Sequence, residues 1–167
     1  MYSVKTSLAG LGMAMLLGIA PASAKDFSLE GYFAGKTSAV GSFSAINGVK
    51  RQFTVDLRGK WNGHTLTLVE DFVYSDGERD RKTWRFRKIG PNQYRGTRED
   101  VVGDTLVTVT GNTARFTYLI DLDAERKSNR VRFHDTMVLQ DDGRLINNAT
   151  ITKFGFPVGK TRVEFRR

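Results

Sequence analysis

Hydrophobic and polar residues alternate with a period of two along most of the chain. In segment 51–57, Phe53, Val55 and Leu57 alternate with Gln52, Thr54 and Asp56. The same alternation recurs in segments 66–74, 84–86, 116–122, 131–139 and 163–165. Side chains in a β-strand point alternately to opposite faces, so this period predicts strands with one apolar face.

Turn signals separate these segments at intervals of roughly 8–15 residues, which is typical of an antiparallel meander. Four of them are Asn47-Gly48, Asn62-Gly63, Asp76-Gly77 and Asp142-Gly143. Such pairs suit type I′ hairpin turns, in which both central residues have positive φ. The remaining signals are Gly90-Pro91-Asn92, Gly103-Asp104 and Gly111-Asn112.

About nine or ten strands of this kind predict an all-β fold, a single antiparallel up-and-down barrel. Closure removes the two edge strands that an open sheet would expose. We find no helical periodicity after the N-terminal segment, and we interpret residues 31–35 as a strand with a bend. The apolar faces could point inward, or outward toward lipid. Many arginines on the polar faces, such as Arg130 and Arg132, favour apolar side chains inside.

Residues 1–24 have the pattern of a cleaved signal peptide. Lys5 precedes the apolar run Leu8–Ala20, and Ala22-Ser23-Ala24 matches the small-x-small cleavage site. The alternative is a membrane anchor or a core helix, but the run is shorter than the roughly 20 residues that span a bilayer. We therefore expect one barrel domain over residues 25–167, in the periplasm or secreted.

Composition restricts the chemistry of the chain. The 167 residues include no Cys and two His, which excludes disulfides, a thiol nucleophile and a His-rich or Cys-based metal site. No phosphate-binding loop or nucleophile elbow is present in the sequence. We assign no metal ligand, no cofactor and no catalytic residue.

Two carboxylates fall on apolar strand faces. Glu70 alternates with Leu68 and Phe72, and Asp135 alternates with Phe133 and Met137. A buried carboxylate needs a partner or takes up a proton. We predict a polar cluster in an apolar ligand cavity, formed by Glu70, Tyr74, Trp84, Arg98, Asp100, Asp135 and Asn147. The alternative is a structural hydrogen-bond network in a packed barrel.

The net charge of +8 includes a basic cluster on one predicted hairpin, beside Trp84 and Phe86. Its members are Arg79, Arg81, Lys82, Arg85, Arg87 and Lys88. A signal peptide would remove the protein from nucleic acid, so we expect no nucleic-acid partner. Peripheral contact with an anionic membrane surface is one interpretation of the cluster. A solvated strand face is the other.

Several segments together resemble a family of bacterial envelope proteins defined only as a domain of unknown function. These are Gly31–Gly35, Arg51–Asp56, Leu68–Glu78, Asp100–Gly103 and Lys153–Gly159. The resemblance implies a calycin-like or lipocalin-like barrel and a connection with lipids. Many family members resemble lipoproteins, whereas this chain has no lipobox Cys, and His134–Met137 departs from the family pattern.

In calycins, a late arginine commonly packs across an early aromatic residue at the closed end of the barrel. The resemblance therefore implies a cation–π contact of Tyr32 or Phe33 with Arg162 or Arg166. It implies no catalytic residues.

The leading functional hypothesis is the binding of a small amphipathic ligand, acyl or lipid-like. An enzyme of isomerase or cyclase type, with Glu70 or Asp135 as base, is an alternative from another class. A structural envelope protein with a filled barrel is the third. A cavity of about 300 Å³ or more would separate the first two from the third.

Overall fold

The computed structural model describes residues 26–123 and 129–167. The predicted signal peptide lies outside the described residues. Among those described, no helix has both the length and the apolar character needed to cross a bilayer.

One short helix precedes ten antiparallel strands. The helix is α1 (Leu29–Phe33), and the strands are β1 (Gly35–Ala45), β2 (Lys50–Trp61), β3 (Thr65–Tyr74), β4 (Arg79–Gly90), β5 (Gln93–Thr97), β6 (Thr105–Thr110), β7 (Thr113–Asp121), β8 (Arg130–Leu139), β9 (Leu145–Lys153) and β10 (Phe156–Arg166). Each strand pairs with its neighbours in sequence, and β1 pairs with β10 to close the barrel. The prediction of an up-and-down barrel is confirmed.

The apolar face of each strand points into the barrel. In β2, Val55 and Leu57 are buried while Thr54 and Asp56 are exposed, and in β3 Leu66 and Leu68 are buried. Burying these side chains stabilises the fold by about 1.5–3 kcal/mol each. The interior assignment made from the alternation therefore agrees with the structure.

The Asn-Gly and Asp-Gly turns are not of the predicted type I′. In the described chain, Phe154 is the one non-glycine residue with positive φ, so Asn47, Asn62, Asp76 and Asp142 do not have it. At Asp76-Gly77, the Tyr74 amide binds the Glu78 carbonyl and the Gly77 amide binds the Tyr74 carbonyl. This is a three-residue loop that ends in a left-handed glycine. The hairpin positions are right and the turn type is wrong.

Residues 29–33 form a helix rather than the predicted bent strand. The Ser28 hydroxyl accepts a hydrogen bond from the Gly31 amide, which caps the helix. Leu29 and Phe33 are 1% and 2% exposed, because the helix closes one end of the barrel. We call this the helix end.

Hydrogen bonds fix the helix to the barrel. The Glu30 carboxylate binds the Lys88 ammonium and accepts a hydrogen bond from the Tyr94 hydroxyl, each at 2.5 Å. The Tyr32 hydroxyl lies 3.0 Å from the Phe165 carbonyl oxygen and donates to it. The expected arginine–aromatic contact exists, but Arg167 makes it with Tyr32, at 6.0 Å, rather than Arg162 or Arg166. Those two project from β10 and are exposed.

Candidate functional site

The barrel interior contains a cavity of about 480 Å³. It extends from the buried side of α1 to the opposite end of the barrel, where the turns 46–49 and 75–78 lie; we call this end the mouth. The volume falls within the range of small-molecule sites, and it does not fit a completely filled barrel. All seven predicted site residues line it: Glu70, Tyr74, Trp84, Arg98, Asp100, Asp135 and Asn147.

Strand alternation places the carboxyl groups of Glu70 and Asp135 inside. The two residues are 9% and 5% exposed. Glu70 is central in β3 and therefore lies midway between the two ends of the barrel. Opposite β3 in the barrel, the Asn147 amide nitrogen on β9 donates to Asp135 Oδ1 at 2.5 Å.

Arg98 enters the cavity from the loop between β5 and β6. Its guanidinium Nε and Nη2 donate to the two Asp100 carboxylate oxygens, at 2.6 and 3.2 Å. The same group lies 4.8 Å from the Trp84 ring centroid and 5.7 Å from that of Tyr118. The cation–π contacts and the fork-shaped ion pair hold the arginine in one orientation.

Glu70 is only loosely paired. Its carboxylate lies 3.9 Å from Arg98 Nη1 and makes no hydrogen bond with any of the described residues. Burial raises the pKa of Glu70 to about 7; Arg98 opposes the rise, while the neighbouring acids Glu99, Asp100 and Asp135 add to it. The carboxyl group can therefore gain or lose a proton near neutral pH.

Asp135 and Asn147 each have one unused acceptor. Within the described part of the chain, Asp135 Oδ2 and Asn147 Oδ1 are buried and have no hydrogen-bond partner. Burial raises the pKa of Asp135 to about 6, against the effects of Asn147, Arg98 and the Tyr118 side chain. Burial likewise raises the pKa of Tyr118, so its hydroxyl stays protonated. The cluster presents both acceptors and donors to the cavity.

Tyr74 lines the mouth and lies apart from this cluster. The Arg51 guanidinium is 3.9 Å from its ring centroid and binds Asp76 and Glu78. The sequence prediction had grouped Tyr74 with the carboxylates, whereas the structure brings together the other six residues through Arg98 and Asn147.

Sequence reasoning omitted several polar residues that line the cavity, and three of them, Tyr118, Lys82 and Asp80, lie beside the cluster. Tyr118 shares the inward face of Phe116 and Ile120, which was a usable signal. Lys82 and Asp80 share the inward face of Trp84 on β4. Lys82 binds Asp80 at 3.1 Å and Asp100 at 3.6 Å, which extends the ion-pair network to the mouth.

The six basic residues of the predicted hairpin therefore do not share one surface of the protein. Lys82 points into the cavity and Lys88 binds Glu30 under α1. Arg79, Arg81, Arg85 and Arg87 are exposed on the outer face. Of these, Arg81 also binds Asp71.

The family model described as "Protein of unknown function (DUF3833)" matches residues 13–167. The chain belongs to this family. The resemblance to a family defined only as a domain of unknown function is thus confirmed. No curated protein matches the sequence.

Two solved structures share the barrel of this DUF3833 chain. The S-type phycobiliprotein lyase CPES from Guillardia theta has a TM-score of 0.60 at 10% identity, covering 84% of this chain and 93% of the lyase. Rv2717c from M. tuberculosis has a TM-score of 0.59 at 15% identity, covering 81% and 92%. At these identities, the similarity establishes the calycin-like fold of this DUF3833 chain and nothing about its chemistry.

Proposed function

We propose that the barrel binds a small amphipathic ligand whose polar group contacts the Glu70–Arg98–Asp135–Asn147 cluster. The observation that carries this proposal is the pair of unpartnered acceptors, Asp135 Oδ2 and Asn147 Oδ1, on residues that line a 480 Å³ cavity. A buried polar atom without a partner costs about 1–3 kcal/mol, and a ligand that donates a hydrogen bond to it removes this cost.

The charges favour a neutral polar group on the ligand. Asp100 already pairs with Arg98 through Nε and Nη2, so the positive charge of the arginine is largely compensated before any ligand arrives. A carboxylate or phosphate would also meet the carboxyl groups of Glu70 and Asp135. A hydroxyl or an amide N–H, by contrast, can donate to the free acceptors. We therefore favour a long-chain alcohol, an acyl ester with a free hydroxyl, or an acyl amide over a free fatty acid.

Aromatic and aliphatic side chains surround the polar cluster. Toward the helix end, Leu29, Phe33 and Phe165 form the floor of the cavity. Toward the mouth, the partly buried Phe43, Phe53, Phe72 and Phe133 line it. An apolar chain or ring of the ligand can pack on either set while its polar group contacts the cluster.

Two measurements test this function. Native mass spectrometry of protein purified from its own envelope should detect a copurifying lipid-like mass. In titration calorimetry, decanol should bind at least tenfold more tightly than decanoate at pH 8. Equal or tighter binding of decanoate would contradict a neutral ligand, and no binding of either probe would contradict the acyl class.

A matched pair of variants locates the binding site. Asn147 points inward and Asn148, its neighbour on β9, is exposed. Asn147→Leu should weaken decanol binding roughly tenfold, because the hydroxyl loses an acceptor. Asn148→Leu makes the same substitution on the outer face and should leave binding unchanged. Unfolding curves of both variants show whether the fold is retained.

One observation favours catalysis as a second candidate. The Glu70 carboxyl has no hydrogen bond among the described residues, faces the cavity and has its pKa raised to about 7, which suits a general base near neutral pH. Chromatography of the copurified ligand before and after incubation would detect turnover. Glu70→Gln should abolish turnover and retain binding. A ligand that remains unchanged leaves the protein a binder.

A further inference from the structure

Large hydrophobic side chains protrude from two adjacent turns at the mouth. Ile46 and Val49 belong to the β1–β2 turn and are 77% and 46% exposed. Phe154 lies in the β9–β10 turn, Phe156 is the first residue of β10, and the two are 85% and 74% exposed. The Ile46 amide donates to the Val158 carbonyl at 3.0 Å, so the two turns are neighbours. We call these four side chains the apolar tip.

Neither core packing nor turn geometry explains why a phenylalanine occupies position 154. Its ring is exposed, so it contributes little to the core. Its φ is +51°, and Gly155 follows with +84°, so this hairpin has the type I′ geometry that favours Asn or Gly at both positions. A bulky residue in this conformation is an outlier, and such outliers concentrate at functional sites. The Phe side chain is present at the tip despite a conformational cost.

Basic residues surround the apolar tip. Lys50 and Lys160 are exposed, and Lys153 lies 5.8 Å from the Phe154 ring centroid. None of the three makes an ion pair with a described residue. Strands β1, β9 and β10 contain one acidic residue, Glu164, which lies toward the helix end, bound to Arg144 and Arg166. Asp76 and Glu78, in the neighbouring turn of the mouth, are both paired with Arg51. The tip is therefore apolar with a positive border.

We infer that the apolar tip inserts into the interface of an anionic phospholipid bilayer and orients the barrel with its mouth toward the membrane. Protruding side chains on turns suit a deformable lipid phase better than the flat surface of a second protein. Exposed hydrophobic residues combined with lysines match the two contributions to interfacial binding, apolar burial and attraction to anionic headgroups. The inference goes beyond ligand binding and does not depend on it.

Vesicle cosedimentation of the protein as purified tests the inference. The probe is a vesicle of phosphatidylglycerol and phosphatidylcholine, compared with pure phosphatidylcholine. The double substitution Phe154→Asn with Phe156→Thr should lower partitioning roughly tenfold or more, because two phenyl rings no longer transfer from water. Asn suits positive φ, so the variant should keep its fold, as an unfolding curve will show. Ile89→Thr replaces an exposed apolar residue near the helix end of β4, and this control variant should partition like the wild type.

Charge and orientation provide independent measurements. Replacing Lys50, Lys153 and Lys160 by Gln should lower partitioning on anionic vesicles roughly fivefold per lysine, and leave it unchanged on phosphatidylcholine. With brominated acyl chains, a tryptophan introduced as Phe156→Trp should be quenched. The two tryptophans of the wild type, Trp61 near the helix end of β2 and the buried Trp84, should not be quenched.

Three results would overturn the inference. The first is wild-type protein that does not partition to anionic vesicles, or a double variant that partitions as well as the wild type. The second is quenching of the wild-type tryptophan fluorescence, which would place the other end of the barrel on the membrane. The third is a concentration-dependent dimer that the double variant disperses while neither protein partitions, which would make a second copy the occupant of the tip.

Discussion

The Arg98 guanidinium lies 3.9 Å from the Glu70 carboxylate and is held by Asp100 instead. Glu70 is thus buried beside a positive charge that is already neutralised. This arrangement explains why burial dominates the behaviour of Glu70 and raises its pKa to about 7. It also determines how each member of the cluster should respond to substitution.

Stability should fall as pH rises through the range in which Glu70 ionises. The folded state holds the proton up to a pKa of about 7, whereas the unfolded chain releases it near 4.5. The folded state therefore binds more protons between these values, and raising the pH from 5 to 8 should cost about 2–3 kcal/mol through this group. Asp135, with its pKa raised to about 6, adds to the same trend at the lower end of the range.

Urea unfolding at pH 5 and pH 8 measures this effect. The Glu70→Gln variant should lose much less unfolding free energy between pH 5 and pH 8 than the wild type does. It should also be more stable than the wild type at pH 8. Glu78→Gln makes the same change in an exposed turn and should leave the pH profile as it is. If the two variants have the same profile, Glu70 is accessible to water.

Removing Arg98 should destabilise the protein more than removing Glu70. Arg98→Met leaves the Glu70 carboxylate without a cation and Asp100 with Lys82 alone, at 3.6 Å, and breaking a buried pair in this way costs about 3–5 kcal/mol. Arg95→Met is the matched control, because Arg95 binds Asp104 on the exposed surface and such pairs contribute about 0.2–1 kcal/mol. Adding Glu70→Gln and Asp100→Asn to Arg98→Met should recover much of the loss. Equal urea midpoints for the two single variants would contradict a buried network.

Gly59 should be intolerant of any side chain. A Cβ atom there would lie 1.8 Å from the Phe33 carbonyl oxygen, so α1 would have to move away from the barrel. We expect Gly59→Ala to cost about 1–3 kcal/mol, as overpacking generally does. At Gly90, in contrast, a Cβ would meet nothing closer than 3.7 Å. Gly90→Ala should therefore unfold at nearly the wild-type temperature, and a comparable loss in both variants would argue against the close approach of α1.

Phe154→Asn should stabilise the fold. A left-handed backbone costs an ordinary residue roughly 1–2 kcal/mol, and Asn tolerates it better than Phe. We expect a gain of about 1 kcal/mol in the free energy of unfolding. Ile46→Asn replaces an equally exposed apolar residue without positive φ, and should change stability by less than about 0.5 kcal/mol. A destabilised Phe154→Asn would mean that the ring has a structural role.

Strand alternation was sufficient to orient residues that lie within strands. Glu70, Asp135 and Asn147 point into the barrel because each lies two residues from buried apolar neighbours. The same rule, applied to β4, would have placed Lys82 inside with Trp84. Grouping the basic residues by sequence proximity concealed this, since neighbours on a strand point to opposite faces.

The rest of the site depends on features without a periodic signal. Alternation placed Arg98 on the face of Tyr94, but Arg98 follows the end of β5, and only the path of the loop brings it over Trp84. The helix Leu29–Phe33 has five residues, which is too short for a helical period to appear in the sequence. Turn type depends on the φ of a single residue, which is why Asp76-Gly77 was located correctly and assigned to the wrong class.

The pairing of β1 with β10 has a consequence for how the chain reaches this structure. Closure brings together residues as distant as Tyr32 and Phe165, which are 133 positions apart in the sequence. Contacts over such separations form late, because the entropy of closing a long loop must be overcome before they are gained. The hairpins from β2 to β9 can form locally, and α1 can bind Lys88 and Tyr94 through Glu30 before β10 pairs. The contacts of Tyr32 and Phe33 with Phe165, in contrast, require the final strand. We therefore expect a slow last folding step in which Phe33 and Phe165 meet, and a period before it during which the apolar interior is accessible to chaperones.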